Sequence, residues 1–409
     1  MFRSSAVRKI ILLWLVWWIC LFGFQEFVTR RFQPQRPDTA LQWTRTETGA
    51  KSQNDKPYLL DPFLNEHVSW DSEFYLGVAD QGYVNSDIRS IPGPDGTKLS
   101  LSYAFFPLYA LLIRWLALPL TVLGLGKIAT LTLAAVVISL LGTLAGMLAL
   151  YDLARGWLGE DGGMRAAWYM LVFPTAFFFG QVYTEGLFVG LAFGALALAR
   201  RGQWALAALL AALAAWTRAV GVALAVPLAV MAYQQLRNAR SPDGERKPAL
   251  GAAAAALAPL ASLGAWWLSP LRPAFWFVED NFFGRRFLAV EGSWQGWNMV
   301  WQEMIRTSNG PSKMYFLLEF AIIFIALACA LALLRRMPAV ALFSLAVFMI
   351  AVFSGAGQSM NRYVLAMPTL FLAPAWLGKN EVFDRGWTLA CVLLMATLAA
   401  LFSYDFWVG

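Results

Sequence analysis

The chain has 409 residues, of which 59% are hydrophobic and only 14% charged, with a mean hydropathy of +0.55. A soluble domain carries about 25% charged residues, so this composition excludes one and specifies a polytopic membrane protein. The net charge of +7 does not indicate nucleic acid, because Lys and Arg fall mostly between apolar runs, where they set topology rather than form a basic binding face.

The aromatic count is high, with 19 Trp, 30 Phe and 12 Tyr, as expected where rings gather at membrane interfaces and around amphipathic ligands. Cys20, Cys329 and Cys391 all fall in expected spans, which implies no disulfide framework. The single histidine, His67, makes no histidine metal cluster and suits a structural position at the interface.

A basic flank, MFRSSAVRK, precedes an apolar run from Ile10 to Val28. The run is long enough to span and lacks a small-residue cleavage site, so it reads as a retained first helix with a cytoplasmic N-terminus. Residues Thr29 to Ser102 form one long loop on the far side. Its aromatic part, Tyr58 to Tyr83, is expected to be ordered, whereas Gln33 to Lys56 reads as a mobile, solvated linker.

Within that loop SWDSEFYLGVADQGY, Ser69 to Tyr83, sets two aspartates and a glutamate among aromatic rings. The spacing predicts a short helix from Ser72 to Ala79 with Asp71 at its N-terminal end. There Asp71 is either a cap for free backbone amides or a catalytic carboxylate.

The apolar stretch Leu99 to Leu120 contains Arg114 and is bracketed by Pro107 and Pro119, so it is expected to lie along the outer interface rather than cross. Crossings are then expected at Lys127 to Tyr151, Met164 to Gly180, Thr184 to Ala199, Gln203 to Trp216 and Gly221 to Tyr233. The basic loop Gln234 to Lys247 marks the cytoplasmic side. Later spans are expected near Leu250 to Leu268, Met314 to Leu334, Pro338 to Phe353, Tyr363 to Leu377 and Trp387 to Phe406. That makes an all-α protein of roughly eleven transmembrane helices plus interfacial ones.

A second outer loop, Ser269 to Lys313, interleaves Trp and Phe with charges and reads as an amphipathic interfacial helix or a groove for lipid or acceptor. The chain thus divides into a module of residues 1–236, with outer loop 30–103 and interfacial helix 104–120, and a module of residues 237–409 with outer loop 269–313.

Asp71, Glu73, Asp80, Glu185, Arg218 and the SMNRY stretch Ser359 to Tyr363 collect on one side of this arrangement. Charged groups near bilayer depth are functional candidates. Carboxylates facing arginines suit proton removal from an attacking hydroxyl together with stabilisation of a departing phosphate. Buried ion pairing, Asp71 with Arg114 or Glu185 with Arg218, is the structural alternative. Two carboxylates alone make a poor metal cage, so no metal or other cofactor is expected, although Asp71 and Glu73 are conceivable ligands.

SWDSEFYLGVADQGY, FFPLYALLIR, VYTEGLF, WTRAVGV and NRYVLAMPTLFL, in this order, resemble the PIG-V family, the second mannosyltransferase of glycosylphosphatidylinositol synthesis and its bacterial relatives. The resemblance runs from Trp70 to about Leu372. It implies the GT-C glycosyltransferase architecture, a polyprenyl-phosphate mannose donor, an essential acid in the first outer loop, and inversion at the sugar carbon. The acceptor hydroxyl belongs to a glycolipid, glycan or protein on the outer face of what reads as a bacterial plasma membrane.

Carried over by position, Asp71 is the catalytic base, with Glu185, Glu73 and Asp80 as acidic partners. Arg218, Arg362 and Arg114 are candidates for the donor phosphate. Trp70, Tyr75, Tyr109, Tyr183 and Tyr363 are the substrate-binding candidates. Ser69 stands where the family often has Arg, and Ala219, Val220 and Gly221 replace Ser-Asn-Gly, which leaves the acceptor open. A secondary transporter or flippase with a polar site near the outer interface is the alternative from another class. It calls for matching halves with discontinuous helices, and no internal repeat is evident.

Overall fold

The computed structural model describes residues 5–50, 52–239 and 248–409. Part of the basic cytoplasmic marker, residues 240–247, lies outside the described residues. Among the described residues the regular structure is helical apart from one antiparallel pair, β1 (Ser90–Pro92) and β2 (Lys98–Ser100), in register Ser90 to Ser100.

The first helix, α1 (Ser5–Arg31), leads into a long loop carrying two single-turn helices, α2 (Thr44–Glu47) and α3 (Pro57–Leu60), and then α4 (Ser72–Gln81). Gly82 ends α4 with φ 86°, a left-handed position that only glycine takes at low cost, and its N–H donates to the Val78 carbonyl at 3.0 Å. The expected helix Ser72 to Ala79 is therefore present and two residues longer.

Next comes α5 (Pro107–Leu120), begun by Pro107 in the first turn, where its missing N–H costs nothing. At 14 residues it is about 21 Å long, too short to cross upright, and Trp115 and Leu118 are exposed on it.

The 46-residue α6 (Lys127–Val172) is two helices joined at Gly159, whose φ of 75° breaks the regular geometry. This matches the two runs expected there. It packs most extensively on α7 (Glu185–Arg200). A Cβ at Gly142 would stand 2.5 Å from the Gly186 carbonyl oxygen, and one at Gly190 2.5 Å from the Gly142 carbonyl oxygen, so the two backbones touch.

The remaining helices are α8 (Trp204–Ala215), α9 (Ala225–Ala239), α10 (Pro248–Trp267), α11 (Arg272–Asn281), α12 (Val290–Arg306), α13 (Gly310–Leu333), α14 (Pro338–Val352), α15 (Met360–Tyr363), α16 (Thr369–Leu377) and α17 (Glu381–Ser403). Five described helices are long and apolar enough to cross a membrane, or six if α10 and α11, bent by 90°, count as one. The other expected spans fall short of that length because helices break where the chain turns into the polar site. The chain leaves α8 through a 3-10 stretch, Ala219–Leu224, and the run expected from Tyr363 to Leu377 divides into α15, a 3-10 turn and α16.

One expectation is corrected. Gln33 to Lys56 is not a solvated linker. Asp38 accepts from the Trp407 backbone N–H at 2.9 Å, Lys56 pairs with Glu47 at 2.8 Å, and Trp43 meets Trp70 and Trp407 edge to face at centroid distances of 5.5 and 4.8 Å. Partners from the far end of the chain supply an order that local composition does not show.

Candidate active site

At one end of the bundle α7 begins, α8, α10 and α14 finish, and the loops 32–106 and 268–309 converge. They enclose a cavity of about 660 Å³. Its lining is of two kinds. Phe106, Trp266, Phe275 and Trp276 make an apolar wall, with rings in edge and tilted contact. Trp43, Glu47, Lys56, Arg89 and Trp407 make a polar, aromatic one.

Asp71 stands in this cavity at the start of α4, but it does not cap the helix. No side-chain bond to an amide forms there, and Oδ2 instead accepts from Arg362 Nη1 at 2.6 Å. Oδ1 has no bonded partner among the described residues. The preceding Trp70 is held at φ 53°, a conformation that costs a bulky residue about 1–3 kcal/mol, and its indole N–H reaches the Phe406 carbonyl at 3.3 Å. Tyr183 fixes the same turn from below. Its hydroxyl donates to the Ser69 carbonyl at 3.1 Å and accepts from the Asp71 N–H at 3.2 Å.

Glu185, buried in the first turn of α7, forms an ion pair with Arg218 and lies 3.3 Å from Arg362 Nε. The second contact is electrostatic only, because Arg362 Nε makes no aligned hydrogen bond. Arg218 and Arg362 flank the Tyr363 ring, 5.1 and 5.5 Å from its centroid. Two carboxylates and two guanidiniums therefore meet across the segments that carried them in sequence, and the Asp71–Arg114 pairing does not form.

Glu73 belongs to a neighbouring charged chain. Its carboxylate is 3.3 Å from Arg89 Nη2, Arg89 Nη1 is 2.8 Å from Glu47, and Lys56 is 2.8 Å from Glu47. Burial pushes the Glu73 carboxyl up to about 7, with Arg89 and Lys56 pulling the other way.

The remaining candidates lie elsewhere. Asp80 accepts from the Tyr58 hydroxyl at 2.9 Å and pairs with Lys127, outside the cavity lining. Arg114 donates to the carbonyls of Ala79 at 2.7 Å and Asp80 at 3.0 Å, so it caps the end of α4 and does not line the cavity. Tyr109 is fully buried against Ser139 at 2.8 Å, while Tyr75 and Tyr363 line the cavity.

His67 bonds Gln181 at 3.0 Å and stacks on Phe22, and burial lowers its pKa to about 4, so it stays neutral. Among the described residues no group of three His, Cys, Asp or Glu is placed to hold a metal. Lining residues that were not singled out in the sequence include Glu47, Lys56 and Arg89 on the first loop and Glu279 and Arg285 on the second.

A family model described as Mannosyltransferase (PIG-V) matches residues 8–241. The chain belongs to this family. The match covers Asp71, Glu185 and Arg218, whereas Glu279, Arg285, Arg362 and Tyr363 lie beyond it. No curated protein matches the chain.

Among solved structures it is similar to ArnT from Cupriavidus metallidurans bound to undecaprenyl phosphate. Identity is 14% over 83% of this chain and 72% of that one, with a TM-score of 0.44. It is also similar to the oligosaccharyltransferase AglB from Archaeoglobus fulgidus in complex with an inhibitory peptide and a dolichol-phosphate. There identity is 12% over 97% of this chain and 56% of that one, with a TM-score of 0.43. This PIG-V family member is a multi-pass membrane glycosyltransferase.

Proposed function

We propose that the protein transfers mannose from a polyprenyl-phosphate donor to an acceptor hydroxyl, with inversion, and that Asp71 is the base. The observation carrying this is the asymmetry of the Asp71 carboxylate: Oδ2 is fixed by Arg362 and Oδ1 has no bonded partner among the described residues, in a cavity with one apolar and one polar wall. The acceptor O–H gives its proton to Oδ1 while its oxygen attacks the anomeric carbon from the face opposite the phosphate. The bond from that carbon to the phosphate oxygen breaks, and the polyprenyl phosphate leaves with both bonding electrons.

The apolar wall suits the polyprenyl chain and the polar wall the acceptor. Arg155 and Arg165, on either side of the Gly159 break, and Arg200, Arg201, Arg335 and Arg336, at helix ends and turns, stand at the other end of the bundle, which supports an extracytoplasmic cavity under the positive-inside rule.

The test is transfer of labelled mannose from polyprenyl-phosphate mannose by protein purified in detergent with host lipid extract. Asp71→Asn keeps the shape and removes the base, so turnover should fall by about 10²–10⁴-fold with donor binding retained. Unchanged turnover in the variant would remove Asp71 from the reaction.

A further inference from the structure

The loop between α11 and α12 brings a third guanidinium to the ring that Arg218 and Arg362 already flank. Arg285 lies 4.9 Å from the Tyr363 centroid, so three guanidiniums gather around one aromatic ring. Two of them are matched by Asp71 and Glu185. The third is not: Arg285 lines the cavity, and among the described residues no carboxylate approaches it within the 4.0 Å of an ion pair. Glu279 and Glu319 act on it through space, both from beyond that limit.

Its position is built. Nη1 donates to Ser354 Oγ at 2.8 Å, and the Arg285 N–H donates to the Glu279 carbonyl at 2.9 Å. The next residues are fastened to the end of α14, Arg286 N–H to the Ser354 carbonyl at 2.8 Å and Ala289 N–H to that of Phe353 at 2.9 Å. Gly355, at φ 97°, lets the two backbones meet, since a Cβ there would stand 2.8 Å from the Gly284 carbonyl oxygen.

From these contacts we infer that Arg285 is the residue that binds the phosphate of the lipid-linked donor, a role the sequence assigned to Arg218, Arg362 and Arg114. The first two reach the cavity already neutralised, and the third spends its donors on backbone carbonyls. An anion entering a site of balanced pairs has to break one of them or find a cation in excess. Among the described residues Arg285 and Arg272 are the lining cations without an ion pair; Arg272 is exposed against Trp267, whereas Arg285 is half-buried beside the Tyr363 ring and keeps donors beyond the one given to Ser354. This inference rests on the proposed lipid-phosphate donor.

The experiment compares polyprenyl phosphate with the uncharged polyprenol of equal length, binding each to wild-type protein, Arg285→Gln and Arg285→Lys. Wild type should prefer the phosphate. Arg285→Gln should lose about tenfold or more in phosphate affinity with polyprenol binding unchanged, and Arg285→Lys should recover part of the loss. A preference retained in Arg285→Gln would overturn the role of Arg285 and leave the donor reading standing. Loss of both ligands in Arg285→Gln would make the residue structural and also overturn it. No preference in wild type would remove the lipid-phosphate donor and this inference together.

Discussion

At the scale of single residues, the site is a set of charges removed from water and balanced against one another. Arg362 joins the two acidic centres, bonding Asp71 at 2.6 Å and lying 3.3 Å from Glu185. Removing one member of such a set leaves the others uncompensated, which costs more than the pair contributes. Glu73 is a different case, because its raised pKa makes folding pH-dependent. Its folded value, about 7, lies above the 4.5 of an ordinary glutamate, so its contribution is complete below 4.5 and is lost as pH rises through 7. Glu73→Gln cannot ionise and should remove that loss, which is at most about 3 kcal/mol. Between pH 5 and pH 8 the melting temperature of the variant should gain several degrees on wild type. A gap between the two that does not change with pH would show that Glu73 carries the same charge folded and unfolded.

At the scale of elements, the height of Glu185 in the cavity is set by the contact between α6 and α7. A Cβ at Gly186 would collide with the Ser139 carbonyl oxygen and stand 2.7 Å from Thr143 Oγ1, and the backbone atom cannot rotate away. Gly186→Ala should therefore push the start of α7 outward, at a cost of about 1–3 kcal/mol typical of overpacking, and should lower turnover through Glu185. Thermal unfolding and transfer assays on the same preparation check both effects, and wild-type values in each would show that the helices can separate freely.

The elements were legible where their cause is local. The α4 segment shows its period, although the expected end, Ala79, falls short of Gly82, and the two halves of α6 are separate apolar runs. Glu185, Arg218 and Arg362 could be gathered because each sits at the end of an apolar run, and Asp71 because it opens a charged, aromatic helix in the outer loop. Their pairing could not, since Arg362 reaches Asp71 across 291 positions. Arg285 and Glu279 were passed over for a related reason. They lie in a loop whose charges and rings look interfacial, and only its attachment to the end of α14 turns Arg285 inward. The order of Gln33 to Lys56 depends on Trp407, whose N–H reaches Asp38 from 369 positions away.

At the scale of the whole molecule, the chain closes around one chamber from both of its halves. Residues 8–241 supply Asp71, Glu185 and Arg218, and the later segments supply Arg285, Arg362, Tyr363 and the irregular tail whose Phe406 carbonyl holds Trp70. The first half alone therefore holds Asp71, the proposed base, without its arginine partner. The unlike walls of the chamber also bear on the order of events. On the proposed reading, a lipid-borne donor against Phe106, Trp266 and Phe275 leaves the side of Trp43, Lys56 and Trp407 for the acceptor, so neither substrate has to depart before the other arrives. Initial-rate lines for one substrate at several fixed levels of the other should intersect, as they do when both are on the enzyme together. Parallel lines would mean that the sugar spends part of the cycle attached to the protein itself.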